Sequence, residues 1–124
     1  MTYNRKDLGK QGEELVAAFI KKDGFTVLAH NYSCKSGEID IIAQKEQLIT
    51  FIEVKLRQNP YFNLSQLVTI SKQKKIIATA RRFIAEQGWL QNSFIYRFDI
   101  ALLEPLKDDY HITYIPNAFT QEYC

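Results

Sequence analysis

The sequence predicts an α/β fold, a mixed sheet with helices packed against it, and three observations carry that prediction. Two segments repeat apolar residues at helical spacing, five shorter runs are rich in β-prone residues, and turn residues separate them in the order α-β-β-β-α-β-β. Strands grouped before and after a single long helix are economically packed as one sheet with helices on it.

The first helix is expected over residues 5–22, where Leu15, Val16, Phe19 and Ile20 recur at helical spacing, Asn4 can cap the start and Asp23-Gly24 supplies a stop. Three strands follow, over residues 25–31, 38–43 and 48–56, each dominated by Ile, Val, Leu or Phe. Residues 57–68 contain Pro60 and show no period, which predicts a loop long enough to suggest a functional role. A second helix is expected from the N-cap Thr69 to Gln87, ended by Gly88, with Ile76, Ile77, Ala80, Phe83 and Ile84 on its buried stripe. Strands over 94–103 and 110–115, joined by a turn over 105–109, complete the order.

With 124 residues, 46% of them hydrophobic and 13% aromatic, the chain suffices for one core, and residues 1–124 are read as a single domain. No stretch reaches the roughly 18 apolar residues of a membrane span, and the start of the chain lacks the apolar run of a signal peptide, so a cytoplasmic protein without a membrane partner is expected. Cys34 and Cys124 are too few and too far apart for a disulfide framework or a zinc knuckle, and His30 and His111 have no ligand-like spacing. The net charge of +2 announces no nucleic-acid partner by itself, so any such case rests on where the charges sit.

Asp40, Glu53 and Lys55 stand inside apolar strands, where an unpaired charge is expensive. Alternation places Glu53 and Lys55 on the face of Phe51, with Ile52, Val54 and Leu56 on the other. A tight link from Lys45 to Leu48 sets an antiparallel register in which Asp40 lies across from Glu53. Carboxylates facing each other at about 5 Å repel unless a proton or a cation comes between them. Mg²⁺, with Mn²⁺ as a substitute, suits such a pair because it prefers oxygen ligands and keeps water and phosphate oxygens in its shell. The metal ligands are therefore expected to be Asp40 and Glu53, with Lys55 orienting the attacking water or sharing transition-state charge. A blander arrangement has Asp40 and Lys55 paired across the strands and Glu53 in solvent. Glu13 falls on the helical stripe of Val16, Ala17 and Ile20, where it either extends the acid site or answers the helix dipole.

The second helix carries Lys72, Lys74, Lys75, Arg81 and Arg82 against the single acid Glu86, a local excess of positive charge that fits a phosphate backbone or, equally, a solvated helix face. Gln73 falls on the buried stripe and is expected to hydrogen-bond near the strand ends, at the acids or the substrate. Arg57, with Arg5, Lys6, Lys10 and Lys35, extends the basic surface, and Tyr61 and Phe62 can stack on bases or anchor the loop. Arg97 and Asp99 share a strand face and read as a structural ion pair.

Several motifs together resemble a known family: G-K-Q-G-E at 9–13, A-H-N-Y-S-C-K-S-G-E-I-D-I-I-A at 29–43, F-I-E-V-K-L-R at 51–57, V-T-I-S-K-Q-K-K-I at 68–76 and R-F-D at 97–99. They are similar to the YraN-like family of small uncharacterised bacterial proteins, within the restriction-endonuclease-like PD-(D/E)XK nuclease superfamily, and in pattern to archaeal Holliday-junction resolvases. The resemblance implies an α-β-β-β-α-β core. It also implies an Mg²⁺-dependent endonuclease that hydrolyses DNA, branched or structured DNA included. Asp40 and Glu53 match the motif's metal-binding acids, Lys55 its lysine and Glu13 the acid of the first helix, while Gln73 resembles a helix glutamine of some branches. A homodimer follows by analogy only, since two cuts need two sites. Ile39 stands where many members have proline, and Asn63 where the family usually has glycine. The alternative is a nucleic-acid-binding module that keeps the fold without turnover.

Overall fold

The computed structural model describes residues 5–57 and 68–120, with side chains from Gly9 onward, and seven elements stand among the described residues. Helix α1 (Arg5–Lys22) leads into strands β1 (Thr26–Cys34), β2 (Gly37–Lys45) and β3 (Leu48–Leu56). Helix α2 (Ile70–Glu86) and strands β4 (Ile95–Pro105) and β5 (Tyr110–Phe119) follow. The sheet order is β1-β2-β3-β4-β5, with only the β3/β4 pair parallel, so the sheet is mixed and flanked by a helix on each face. The Asn4 cap, the side chains of Arg5 and Lys6, the loop residues Tyr61, Phe62 and Asn63, and Cys124 lie outside the described residues.

Both helices stop by the same device. After α1, Gly24 takes φ +94° while its N–H donates to the Lys21 carbonyl and Phe25 N–H reaches back to the Ile20 carbonyl. After α2, Gly88 takes φ +75°, its N–H donates to Ala85 and Trp89 N–H donates to Ile84. These paired bonds satisfy the last helical carbonyls, and glycine alone adopts that backbone freely. The α2 stop also carries an apolar clasp, because Trp89 packs edge-on against Phe83 at 5.8 Å. Thr69 caps the start of α2 by accepting from Lys72 N–H at 3.3 Å.

Each helix covers one sheet face. On one side Val16, Ala17 and Ile20 of α1 meet Ile41, Ala43, Ile52, Ala101 and Leu103. On the other Ile76, Ile77, Ala80, Phe83 and Ile84 of α2 meet Ile42, Ile49, Phe51, Phe98 and Ile100. Each fully buried aliphatic or aromatic side chain contributes roughly 1.5–3 kcal/mol, so the α2 stripe is a main anchor of the fold. The α1 stripe is narrower than its spacing predicts. Leu15 and Phe19 are 37% and 42% exposed, because α1 rests on the sheet along the Val16–Ile20 line and Phe19 covers only the flank of Tyr114.

Several strands run further than expected, β4 to Pro105 among them. β1 continues past Asn31 to Cys34, with Asn31 at φ +50°, and β5 continues past Ile115 to Phe119, with Asn117 at φ +51°. Asparagine tolerates this left-handed backbone, so a residue that reads as a strand end is instead an irregularity within the strand. β2 likewise extends from Gly37 to Lys45.

Candidate active site

The link between β2 and β3 pairs Lys45 with Leu48 and Gln44 with Ile49, which is the register that aligns Asp40 with Glu53. The ladder runs as far as Ile41 opposite Ile52. Beyond that point the Asp40 carboxylate takes over a strand partner's role, its Oδ2 accepting the Val54 N–H at 2.8 Å. Glu53, on the Phe51 face that α2 covers, is only 6% exposed. Its Oε1 lies 3.8 Å from Lys55 Nζ on its own strand and 3.8 Å from Lys72 Nζ on the first turn of α2. The blander alternative, Asp40 paired with Lys55 and Glu53 in solvent, is thereby overturned.

This arrangement leaves two carboxylates poorly compensated. Burial pushes Glu53 up to about 7, the Asp40 charge adds to the rise, and the Lys72 and Lys55 ammoniums only partly oppose it. Burial likewise pushes Asp40 up to about 6; the Val54 N–H and Lys72 oppose the rise, and the charges of Glu13 and Glu38 add to it. The Asp40 charge thus raises the affinity of Glu53 for a proton. Glu13 is half-buried and acts on Asp40 through its field. Among the described residues no three His, Cys, Asp or Glu side chains gather to hold a metal, so Glu13 does not extend the acid pair into a three-ligand cage.

The sequence model of the uncharacterised protein family UPF0102 matches residues 12–103, a span that holds Glu13, Asp40, Glu53, Lys55 and all of α2. The chain belongs to this family. A UPF0102 protein of Clostridium botulinum (strain Loch Maree / Type A3) is 42% identical over 122 residues, 96% of this chain and 98% of that protein. Another, of Clostridium perfringens (strain ATCC 13124), is 42% identical over 120 residues, 94% of this chain and 96% of that one. A solved Holliday junction resolvase of the archaeal hyperthermophile Archaeoglobus fulgidus is 19% identical, with a TM-score of 0.47 over 84% of this chain and 72% of that one. The small uncharacterised bacterial family expected from the motifs is thus the one this UPF0102 chain belongs to.

Not all of the basic residues expected to form one surface act alike. Lys72 lies at the acids. Lys74, Lys75 and Arg81 are exposed, with Lys75 alongside Gly37 at the start of β2. Arg82 is engaged with Glu86 one helical turn away at 2.8 Å, and Arg57 pairs with Glu104 at 3.6 Å. Gln73 donates its amide N–H to the Val68 carbonyl at 3.1 Å, while among the described residues its buried Oε1 meets no hydrogen-bond donor. The two raised carboxylates supply hard oxygen atoms.

Sequence reasoning missed two participants. Lys72 read as part of the basic surface of the second helix, and its approach to Glu53 on β3 has no local sequence signal. Glu38, whose charge raises both Asp40 and Glu53, had no signal beyond its nearness to Asp40. A groove of about 730 Å³ lies away from these acids, between α1 at Gln11, Glu14 and Leu15 and the β4–β5 turn.

The other buried carboxylate belongs to the scaffold. Asp99 is 0% exposed and accepts from Thr50 Oγ1 at 2.6 Å, from Arg97 Nε and Nη2 at 2.8 and 2.9 Å, from Asn117 N–H at 2.8 Å and from the Tyr114 hydroxyl. It ties β3, β4 and β5 together and seats the irregularity at Asn117, so the Arg97–Asp99 pair is structural, as its shared strand face suggests.

Proposed function

We propose that this UPF0102 protein is a divalent-metal-dependent endonuclease that hydrolyses phosphodiester bonds in DNA, with Mg²⁺ as its ion and Mn²⁺ as a substitute. The single observation that carries the reading is the acid pair where β2 and β3 part, half-buried Asp40 and buried Glu53, with two lysines at Glu53. A raised carboxylate pair in a sheet is unfavourable until something cationic joins it, and strongly perturbed acids cluster where chemistry is done. The donor set fits a hard divalent ion that binds through one or two carboxylates and fills its shell with water and phosphate oxygens. When bound, such an ion supplies Lewis acidity toward a phosphate oxygen and makes water more acidic.

The chain's own groups have separate tasks. Asp40 and Glu53 hold the ion. Asp40 is fixed by the Val54 N–H, so its second oxygen has a defined position. Lys55, two residues from Glu53 on the same strand face, orients the attacking water and offsets charge gathering on the phosphate oxygens. Glu13 adds negative field that favours cation binding. Lys74, Lys75 and Arg81 on the exposed part of α2 offer the phosphate backbone a sequence-independent grip, supported by Arg57, Arg82 and the amide of Gln73.

The test is cleavage of duplex, single-stranded and four-way-junction DNA in Mg²⁺ or Mn²⁺ by the wild type, Glu53→Ala and Lys55→Ala. Four-way junctions are included because the motifs resemble those of junction resolvases, and a homodimer would bring the two sites that paired cuts need. Loss of at least 100-fold in rate is expected from either substitution, the range typical of a positioned acid, base or electrostatic group. Cleavage that survives both substitutions sinks the catalytic assignment. Salt-dependent DNA binding with no cleavage of any substrate leaves a nucleic-acid-binding module instead.

A further inference from the structure

Two ammonium groups share one carboxylate oxygen in this site, and one of them is more than a single carboxylate requires. Lys55 and Lys72 each stand 3.8 Å from Glu53 Oε1, while among the described residues Asp40 makes no ion pair. The two lysines are held differently. Lys55 is tied to its place beside Glu53 by the strand backbone. Lys72 reaches Glu53 from another element, its side chain 39% exposed at the edge of the site, and its charge is felt by both carboxylates. It also sits in the first turn of α2, where the helix dipole disfavours a cation and no acid of that turn offsets it. Glu53 is therefore what holds the Lys72 head inward.

We infer that Lys72 is a resident counter-ion of the acid pair, displaced when a divalent cation binds and then free to contact a phosphate of the nucleic acid. The inference rests on the metal site proposed above and adds a coupling to it: loading the ion releases a cation for the substrate. In the unloaded protein Lys72 is spent on Glu53 and contributes nothing to the phosphate grip. In the loaded protein Glu53 is occupied, the flexible four-carbon stem swings outward, and one further phosphate is neutralised. Cation and nucleic acid then favour each other's binding, and the effect is reciprocal by linkage. Lys72 is in this account a positioning residue and substrate contact that reports whether the site is loaded.

The test has two arms, each on the whole chain. In the first, Mn²⁺ alone is titrated into wild type, Lys72→Met and Lys75→Met by calorimetry, with folding checked by circular dichroism. Removing the competing ammonium tightens Mn²⁺ by about tenfold in Lys72→Met, within the range for a charge pair near 4 Å at a protein surface. Lys75→Met, which loses the same charge from the same helix without touching Glu53, changes affinity less than twofold. In the second arm, binding to a DNA duplex of fixed length is measured against salt in EDTA and in Mn²⁺, with the DNA verified intact. The slope of log affinity on log salt steepens by roughly 0.9 for the added phosphate contact in Mn²⁺-loaded wild type, and Lys72→Met shows no such change.

Equal Mn²⁺ affinity in wild type and Lys72→Met overturns the displacement while leaving the metal site standing. A slope that Lys72→Met lowers equally in EDTA and in Mn²⁺ also overturns it, since Lys72 is then a permanent phosphate ligand. Failure of Mn²⁺ to bind wild type and both variants overturns the metal site itself, and the displacement with it.

Discussion

Replacing Glu53 by glutamine should stabilise the metal-free protein at alkaline pH. The side chain is 6% exposed, and burial with the Asp40 charge moves its pKa from 4.5 to about 7. Each tenfold change in proton affinity is worth about 1.4 kcal/mol, so keeping Glu53 ionised in the fold costs about 3 kcal/mol. The sign follows from proton uptake. Between the unfolded and folded values the native state binds the extra proton, so stability falls as pH rises through that window and the full penalty is present above about 7. Glutamine keeps the shape and carries no charge. At pH 8 in EDTA, Glu53→Gln should therefore gain roughly 2–3 kcal/mol, or about 8–12 °C in Tm for a chain of this size. At pH 4, where wild-type Glu53 is protonated, the gain should vanish. Urea melts at both pH values measure it, with an unchanged m-value showing that the fold is intact. A variant no more stable than wild type at pH 8, or one whose advantage persists at pH 4, refutes the claim that this acid pair is held at a cost.

Other substitutions separate scaffold from site. Asp99→Asn should destabilise by about 3–5 kcal/mol, because it leaves the Arg97 guanidinium without its buried anion; a urea melt within 1 kcal/mol of wild type contradicts that role. Gly12→Val should cost about 1–3 kcal/mol, since a Cβ there collides with Leu103 Cδ1 in the buried layer under α1, and a thermal melt reads the loss. Thr69→Ala removes the α2 cap and should lower stability by about 1 kcal/mol, measured by the same melts.

Much of the fold was legible because single residues fix it. Gly24 and Gly88 mark both helix ends, and the short Lys45–Leu48 link fixes the β2/β3 register, which in turn aligns Asp40 with Glu53. The strand extensions were hidden because Asn31 and Asn117 look like turn residues, and only the sheet around them holds them within strands. Lys72 was hidden for a different reason. A lysine on a basic helix reads as solvated by default, and the carboxylate that draws this one inward belongs to β3. Asp99 was legible as the partner of Arg97, but its remaining donors come from two other strands and no local pattern gathers Thr50, Tyr114 and Asn117 around it.

The contrast between the buried carboxylates is itself an argument about function. Asp99 has hydrogen-bond donors on both oxygens and a guanidinium in two-point contact, the condition in which a charge can be buried as part of a stable core. Among the described residues Asp40 has one backbone donor, and Glu53 has two ammoniums at 3.8 Å and no hydrogen bond of ordinary length. Both sites lie in the same sheet, on elements able to supply donors, so the difference is not one of opportunity. If the acid pair served stability, donors like those of Asp99 would be expected around it; instead Glu13 and Glu38 add further negative charge. Charge arranged against the fold's own stability is charge kept for something that arrives, and the hard oxygen set restricts that to a proton or a cation. The Mn²⁺ titration and the pH series on Glu53→Gln distinguish those two, because a bound cation restores wild-type stability at pH 8 and a site built only for a proton does not.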